Sequence, residues 1–144
     1  MRLDLTAFAR ALAQVEEALA FSRSELALSN DRLALQFRAS AIQSFEYTYE
    51  LAYKSLFRYL EATEPAISQL DRLSFQDIIR LAYERGLIQA ELRAWLDFRK
   101  NRGTTSHTYD EEKADQVFSA IPAFLTEATF LYHEIERRQQ STNA

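Results

Sequence analysis

The 144-residue chain has no cysteine and only two glycines, two prolines and two histidines. Without cysteine it has no disulfide framework, no thiolate metal site and no cysteine nucleophile, and the composition fits a reducing, cytoplasmic setting. Two glycines cannot build a phosphate-cradling P-loop or a dinucleotide fingerprint, since each needs glycines at fixed spacing. So few turn residues also argue against an all-β chain, which needs a turn about every eight to twelve residues. Two histidines, no cysteine and no HExxH spacing argue against zinc, and no metal or other cofactor is expected. The 17 basic and 21 acidic residues leave a net charge of −4, which does not mark a general nucleic-acid binder, although a local basic patch is compatible with it. No apolar run is long enough to span a bilayer, so no membrane partner is expected. The opening Met1-Arg2-Leu3-Asp4 leads into a charged helical pattern, unlike the apolar stretch of a signal peptide.

What is present is apolar and periodic. Hydrophobic residues make up 47 % and charged residues 26 %, a balance that favours a packed core over disorder. The length suits one domain over residues 1–144. Five segments repeat at three and four. The first carries Leu5, Phe8, Leu12, Val15 and Leu19, with Asp4 as a cap. The second runs over 30–63, from the N-cap Asn30 to the stop at Glu64-Pro65, with Ile42, Phe45, Tyr49, Ala52, Leu56 and Leu60 inward. A third starts at Ser74, carries Ile78, Ile79 and Ala82, and ends at Gly86. A fourth covers 89–101, with Leu92, Trp95, Leu96 and Phe98 inward. In the fifth, Thr108 and Glu111 have capping-box spacing, and acidic residues suit the first turn. Its stripe passes through Ala114, Val117, Ile121, Phe124, Ala128, Leu131 and Ile135, with a kink expected at Pro122. The polar residues 137–144 read as a frayed tail. The expected fold is an all-α, antiparallel four- to five-helix bundle.

The stretch 99–109, RKNRGTTSHTY, is the least core-like part of the chain. Arg99, Lys100 and Arg102 are cationic, Gly103 permits unusual backbone geometry, and four small hydroxyl or imidazole residues follow. A helix N-terminus just beyond favours phosphate. Arg102 offers a forked, permanent charge for a phosphorane-like transition state, and His107 offers a proton donor or acceptor near neutral pH. These are components for metal-free phosphodiester cleavage. Arg99, Ser106 and Thr105 are the neighbouring candidates for substrate binding. A blander reading stands beside this one: a lone histidine in a polar loop is commonly solvated, and basic residues at a helix end complement its dipole. His133 reads as an exposed helix residue, and Glu50 with Lys54 as a surface i,i+4 pair. The aromatic run from Phe45 to Tyr53 reads first as core and second as an oligomer interface, because Phe45, Tyr47, Tyr49 and Tyr53 cannot all share one helix face. The chain lacks the Gly-Ser loop and paired aspartates of a nucleotidyltransferase.

Arg102, His107 and Tyr109 form an R-x4-H-x-Y motif. Together with the run Phe45-Glu46-Tyr47-Thr48-Tyr49-Glu50-Leu51-Ala52-Tyr53-Lys54, the entry Ser106-His107-Thr108-Tyr109-Asp110-Glu111 and the position of Pro122, it resembles the HEPN superfamily. The likeness is to the branch of nucleotidyltransferase substrate-binding proteins and HepT-like toxins, and it spans residues 3–135. The resemblance implies a homodimeric helical bundle with paired motifs facing across the axis. It also implies a minimal nucleotidyltransferase partner encoded by an adjacent gene. Active members are metal-independent ribonucleases silenced by AMP transfer to the motif tyrosine, here Tyr109. On this pattern Arg102 and His107 are catalytic, and RNA or a nucleotide occupies the cleft. Another interpretation of the family makes its members non-catalytic substrate-binding subunits. One departure is plain: many relatives carry a polar residue directly after the motif arginine, where this chain has Gly103.

Overall fold

In the computed structural model, residues 2–64 and 67–142 are described. Met1, the stop residue Pro65 and residues 143–144 of the expected tail lie outside them. Among the described residues there are six α-helices and no strand: α1 (Thr6–Ser22), α2 (Glu25–Ser29), α3 (Asp31–Thr63), α4 (Phe75–Glu84), α5 (Leu92–Gly103) and α6 (Glu111–Thr142). Short 3-10 turns cover Ile67–Arg72 and Thr105–His107.

Local chemistry explains most boundaries. The Asn30 side chain accepts from the N–H groups of Arg32 and Leu33 and starts α3, and Glu64 ends it in extended geometry. Ser74 caps α4 through Asp77 N–H. Gly86 has φ +74°, Gly86 N–H donates to Tyr83 O, and Leu87 N–H donates to Ala82 O. That pair of bonds is a Schellman close, and it requires the left-handed residue that only glycine adopts without strain. At the first helix, Leu5 holds the N-cap position, while the Asp4 carboxylate accepts from Thr6 N–H.

Four expectations are corrected. The five-residue α2, capped by Ser24, is too short to show periodicity in the sequence. α5 starts at Leu92 instead of position 89. The Glu127 carboxylate accepts from the N–H groups of Gln89 and Ala90, both at 2.9 Å, and holds that segment outside the helix. The cap of α6 is Asp110, whose Oδ1 accepts from Glu112 and Lys113 N–H, while the Thr108 hydroxyl turns back to Thr105 O. α6 also continues to Thr142, well past the point where polarity indicated fraying. Gln139 is buried and pairs with both backbone groups of Leu3, accepting from its N–H at 2.7 Å and donating to its carbonyl at 3.3 Å. Pro122 sits exposed within α6, and the helix passes through it.

Packing gives an up-down order of α1, α3, α5 and α6, with α4 as a short excursion. α1 runs against α3, with the Thr48 hydroxyl donating to Ala11 O and Phe21 stacked on Phe37. α5 runs against α6, with Trp95 beside Glu127 and Phe98 edge-on to Phe124 at 5.4 Å. The two long helices α3 and α6 form the centre, where Phe45 and Phe124 meet edge-to-face at 5.0 Å. Phe8, Phe45, Leu56, Trp95, Phe124 and Leu131 are fully buried in one core. Such side chains contribute about 1.5–3 kcal/mol each on burial, so this layer sets the frame on which the motif is held. Arg38 fixes the start of α6 to α3, bonding Asp115 at 2.7 Å and Glu111 at 3.1 Å.

Candidate functional site

The 99–109 stretch forms the end of the bundle where α5 closes and α6 begins. Its path is wound by threonines. The hydroxyls of Thr104, Thr105 and Thr108 donate to the carbonyls of Asn101, Arg102 and Thr105, each three residues back, at 2.9–3.0 Å. These bonds satisfy carbonyls that a helix end leaves open and carry the chain into the 3-10 turn. Thr105 is buried, and its hydroxyl donates to the backbone and builds the turn. Ser106, His107 and Tyr109 face outward.

Tyr109 is 85 % exposed, and its ring meets His107 edge-on at 6.3 Å between centroids. Arg102 is half-buried and reaches across to α3. Its Nε donates to Glu50 Oε1 at 2.8 Å, and its Nη1 lies 3.4 Å from Glu46 Oε1. Glu50 thus pairs between helices with Arg102, where the sequence indicated a partner along the helix in Lys54. Arg99, one turn earlier on α5, places its guanidinium 4.6 Å from the centroid of Phe75. The motif arginine, histidine and tyrosine therefore share one end of the fold with Arg99 and Ser106, and Thr105 supports them from inside.

Two elements of the sequence reading change. Gly103 is helical with ordinary φ, and nothing lies within 4 Å of the position a Cβ would take. Special backbone geometry does not explain it. The N-terminus of α6 is closed by its own Asp110 and carries Glu111 and Glu112, so phosphate would meet the arginine and not that helix end.

Sequence reasoning missed Glu46 and Glu50, which lie more than fifty residues from Arg102. The one available signal was their i,i+4 spacing, which puts both carboxylates on one face of α3. Beneath them Tyr49 is nearly buried, and burial pushes its hydroxyl far above the ordinary value, with nearby Arg99 acting the other way. It stays protonated at neutral pH. Burial likewise raises the Tyr53 hydroxyl. In the aromatic run, Phe45 and Tyr49 are core, Tyr53 is half-buried, and Tyr47 is 55 % exposed. His133 is exposed on α6, as read. Among the described residues no helix is long and apolar enough to cross a membrane.

Comparison with known proteins gives concordant results. Residues 3–137 match the family model described as nucleotidyltransferase substrate binding protein like. A Haemophilus influenzae protein named "Probable ribonuclease HepT" is 40 % identical over 102 residues, covering 71 % of this chain and 69 % of that protein. A solved Haemophilus influenzae structure, reported to reveal the fold of a substrate binding domain of a nucleotidyltransferase, superposes with a TM-score of 0.85. It is 31 % identical and covers 92 % of this chain and 99 % of its own. A crystal structure from Thermus thermophilus aligns with a TM-score of 0.65 at 29 % identity, covering 89 % and 98 % of the two chains.

Proposed function

The chain belongs to the nucleotidyltransferase substrate binding protein like family, and from that premise we propose that it is the ribonuclease half of a nucleotidyltransferase pair, controlled through Tyr109. The observation that carries the reading is the gathering of Arg102, His107 and Tyr109 at one exposed end of the bundle. In this mechanism the RNA 2′-hydroxyl attacks the adjacent phosphorus and the 5′-oxygen leaves. His107 takes or returns the proton, and Arg102 stabilises charge on the phosphoryl oxygens. Each chain supplies one imidazole here, and transesterification needs both a base and an acid. A second copy facing the first would provide the other, which favours a homodimer with a composite cleft. No metal takes part in this scheme.

The partner nucleotidyltransferase would silence the site by AMP transfer. The Tyr109 phenol oxygen attacks the α-phosphorus of ATP and pyrophosphate leaves. The product places bulk and negative charge two residues from His107, opposing RNA phosphate. The exposure of Tyr109 makes it accessible to a modifying enzyme. A second reading, a non-catalytic substrate-binding subunit, is favoured by one observation: Arg102 is already held by two carboxylates.

Co-expression with the adjacent nucleotidyltransferase, followed by intact-mass measurement, tests the proposal. The expected result is a gain of one or more AMP units that disappears in Tyr109→Phe. Expression of this chain alone should arrest growth, and His107→Ala should relieve the arrest. A stable complex with unchanged mass and no growth arrest would establish the substrate-binding reading instead.

A further inference from the structure

We propose that Tyr53, Phe75 and Arg99 form a stacking subsite for a base of single-stranded RNA, next to the phosphate position at Arg102. The inference deepens the ribonuclease reading and rests on it. Glu46, Glu50, Tyr53 and Phe57 follow one another at three- and four-residue spacing, so they line one face of α3. Arg102 rests on the first two. One turn further along, Tyr53 packs against Phe75 with centroids 5.2 Å apart and against Phe57 at 6.5 Å. Arg99, one turn before Arg102 on α5, covers the Phe75 ring. The residues that hold the phosphate anchor and those of the aromatic cluster are thus offset along α3 and α5 by about one helical turn, a rise of roughly 5.4 Å, a step one nucleotide can span.

Tyr53 and Phe57 also border a groove of about 530 Å³, lined with them by Lys54, Arg58 and Glu61. Half-buried aromatics alone would be ordinary core edge. The cations around them are a separate observation. Lys54, Arg58 and Arg99 are all exposed, and among the described residues none of them makes an ion pair, although the chain as a whole is acidic. Unpaired cations beside aromatic faces match the chemistry of a single strand, whose backbone is anionic and whose bases stack on rings and guanidinium planes. Cation–π contact already holds the Arg99 guanidinium over the Phe75 ring, within the cluster. Glu61, at the far end of the groove, would limit how far a strand extends.

The test uses the full chain and a fluorescein-labelled 2′-O-methyl hexaribonucleotide, which binds without being cleaved, followed by anisotropy. Tyr53→Leu keeps the apolar packing and removes the ring. It should weaken binding by roughly 5- to 150-fold, the range of one base–aromatic stack, while Tyr53→Phe stays close to the parent. An abasic substitution at one position of the oligomer should weaken binding to the parent by a similar factor. That penalty should vanish in Tyr53→Leu, because the same contact is then removed twice. If Tyr53→Leu does not fold by circular dichroism, exposed Arg99→Gln takes its place in the same cycle. Unchanged affinity in the variant, or an abasic penalty equal in both proteins, overturns the stacking subsite. If Arg102→Ala abolishes binding while Tyr53→Leu does not, the ribonuclease reading stands and only the subsite falls. If the folded parent fails to bind the oligomer at all, both fall.

Discussion

Glu127 offers the most direct test of how the bundle positions its motif. Its carboxylate is 5 % exposed, and one oxygen accepts three donors: Gln89 N–H and Ala90 N–H at 2.9 Å and Trp95 Nε1–H at 3.3 Å. These bonds fix the segment that feeds α5, the helix that carries Arg99 and Arg102. In Glu127→Ala all three donors lose their acceptor. A buried orphan donor costs about 1–3 kcal/mol. Water entering from the exposed Gln89 side would recover part of the backbone loss, and relief of a buried carboxylate recovers more. The indole of fully buried Trp95 has no such recourse. The expected net loss is about 3 kcal/mol, a large share of the roughly 5–15 kcal/mol that stabilises a domain. At this chain length it corresponds to a fall of about 10 °C in Tm. Glu127→Gln keeps an acceptor oxygen at the same reach and should lose only about 1 kcal/mol. Equilibrium urea unfolding, followed by circular dichroism and by fluorescence, measures both. Trp95 is the only tryptophan, so its emission reports the altered place itself. A Glu127→Ala variant within about 0.5 kcal/mol of the parent, with unchanged Trp95 emission, would refute the reasoning.

The two glycines should respond oppositely to alanine. Gly86→Ala forces a side chain into left-handed geometry and brings its Cβ to 3.2 Å from the Arg138 guanidinium, so a loss of about 1–2 kcal/mol is expected; Gly103→Ala, helical and open, should be neutral or gain a few tenths of a kcal/mol, and equal destabilisation at both sites in urea unfolding would contradict the assignment. Glu134 supplies a pH prediction. Its carboxyl is held below the ordinary 4.5 by hydrogen bonds from Arg137 and Arg138, despite the opposing effect of burial. A depressed carboxylate contributes stability above the unfolded value and loses it as pH falls. Parent stability should therefore drop more steeply below about pH 4.5 than that of Glu134→Gln, and parallel acid limbs in unfolding curves would show that the pairing contributes nothing.

Much of the fold was written locally. Asn30 and Ser74 start helices, and Gly86 ends one, because each acts on backbone groups within three or four residues. Two of the misread boundaries depend on distant partners, whereas the α6 cap at Asp110 and the short α2 are local. α5 begins late because a carboxylate 37 and 38 residues away holds the preceding N–H groups. The end of α6 stays ordered because Gln139 pairs with Leu3, 136 residues away. The site divides in the same manner. Arg102, His107 and Tyr109 are legible as a motif because they lie within eight positions. The acids that hold Arg102 belong to another helix, and their i,i+4 spacing puts them on one face without showing which cation they meet. Thr105 was less legible for a smaller reason: a hydroxyl in a polar stretch looks free until its burial and its bond to Arg102 O are known.

The clamp on Arg102 changes how a strand would meet the site. Glu46 and Glu50 are internal counterions. A phosphate that engages the guanidinium through two donors would displace a carboxylate from Nε or Nη1, and that freed carboxylate would recruit a cation from solution while the RNA releases one. The exchange is nearly neutral in ions. An ordinary arginine–phosphate contact on a single strand steepens the salt dependence of log K by about 0.7, whereas Arg102 contributes close to nothing. Lys54, Arg58 and Arg99, which make no ion pair among the described residues, would carry the salt sensitivity, and Arg102 would carry selectivity. A small anion gains little by replacing a carboxylate already in place. A phosphate that also brings a base to the aromatic cluster and an ester to His107 gains enough to open the clamp.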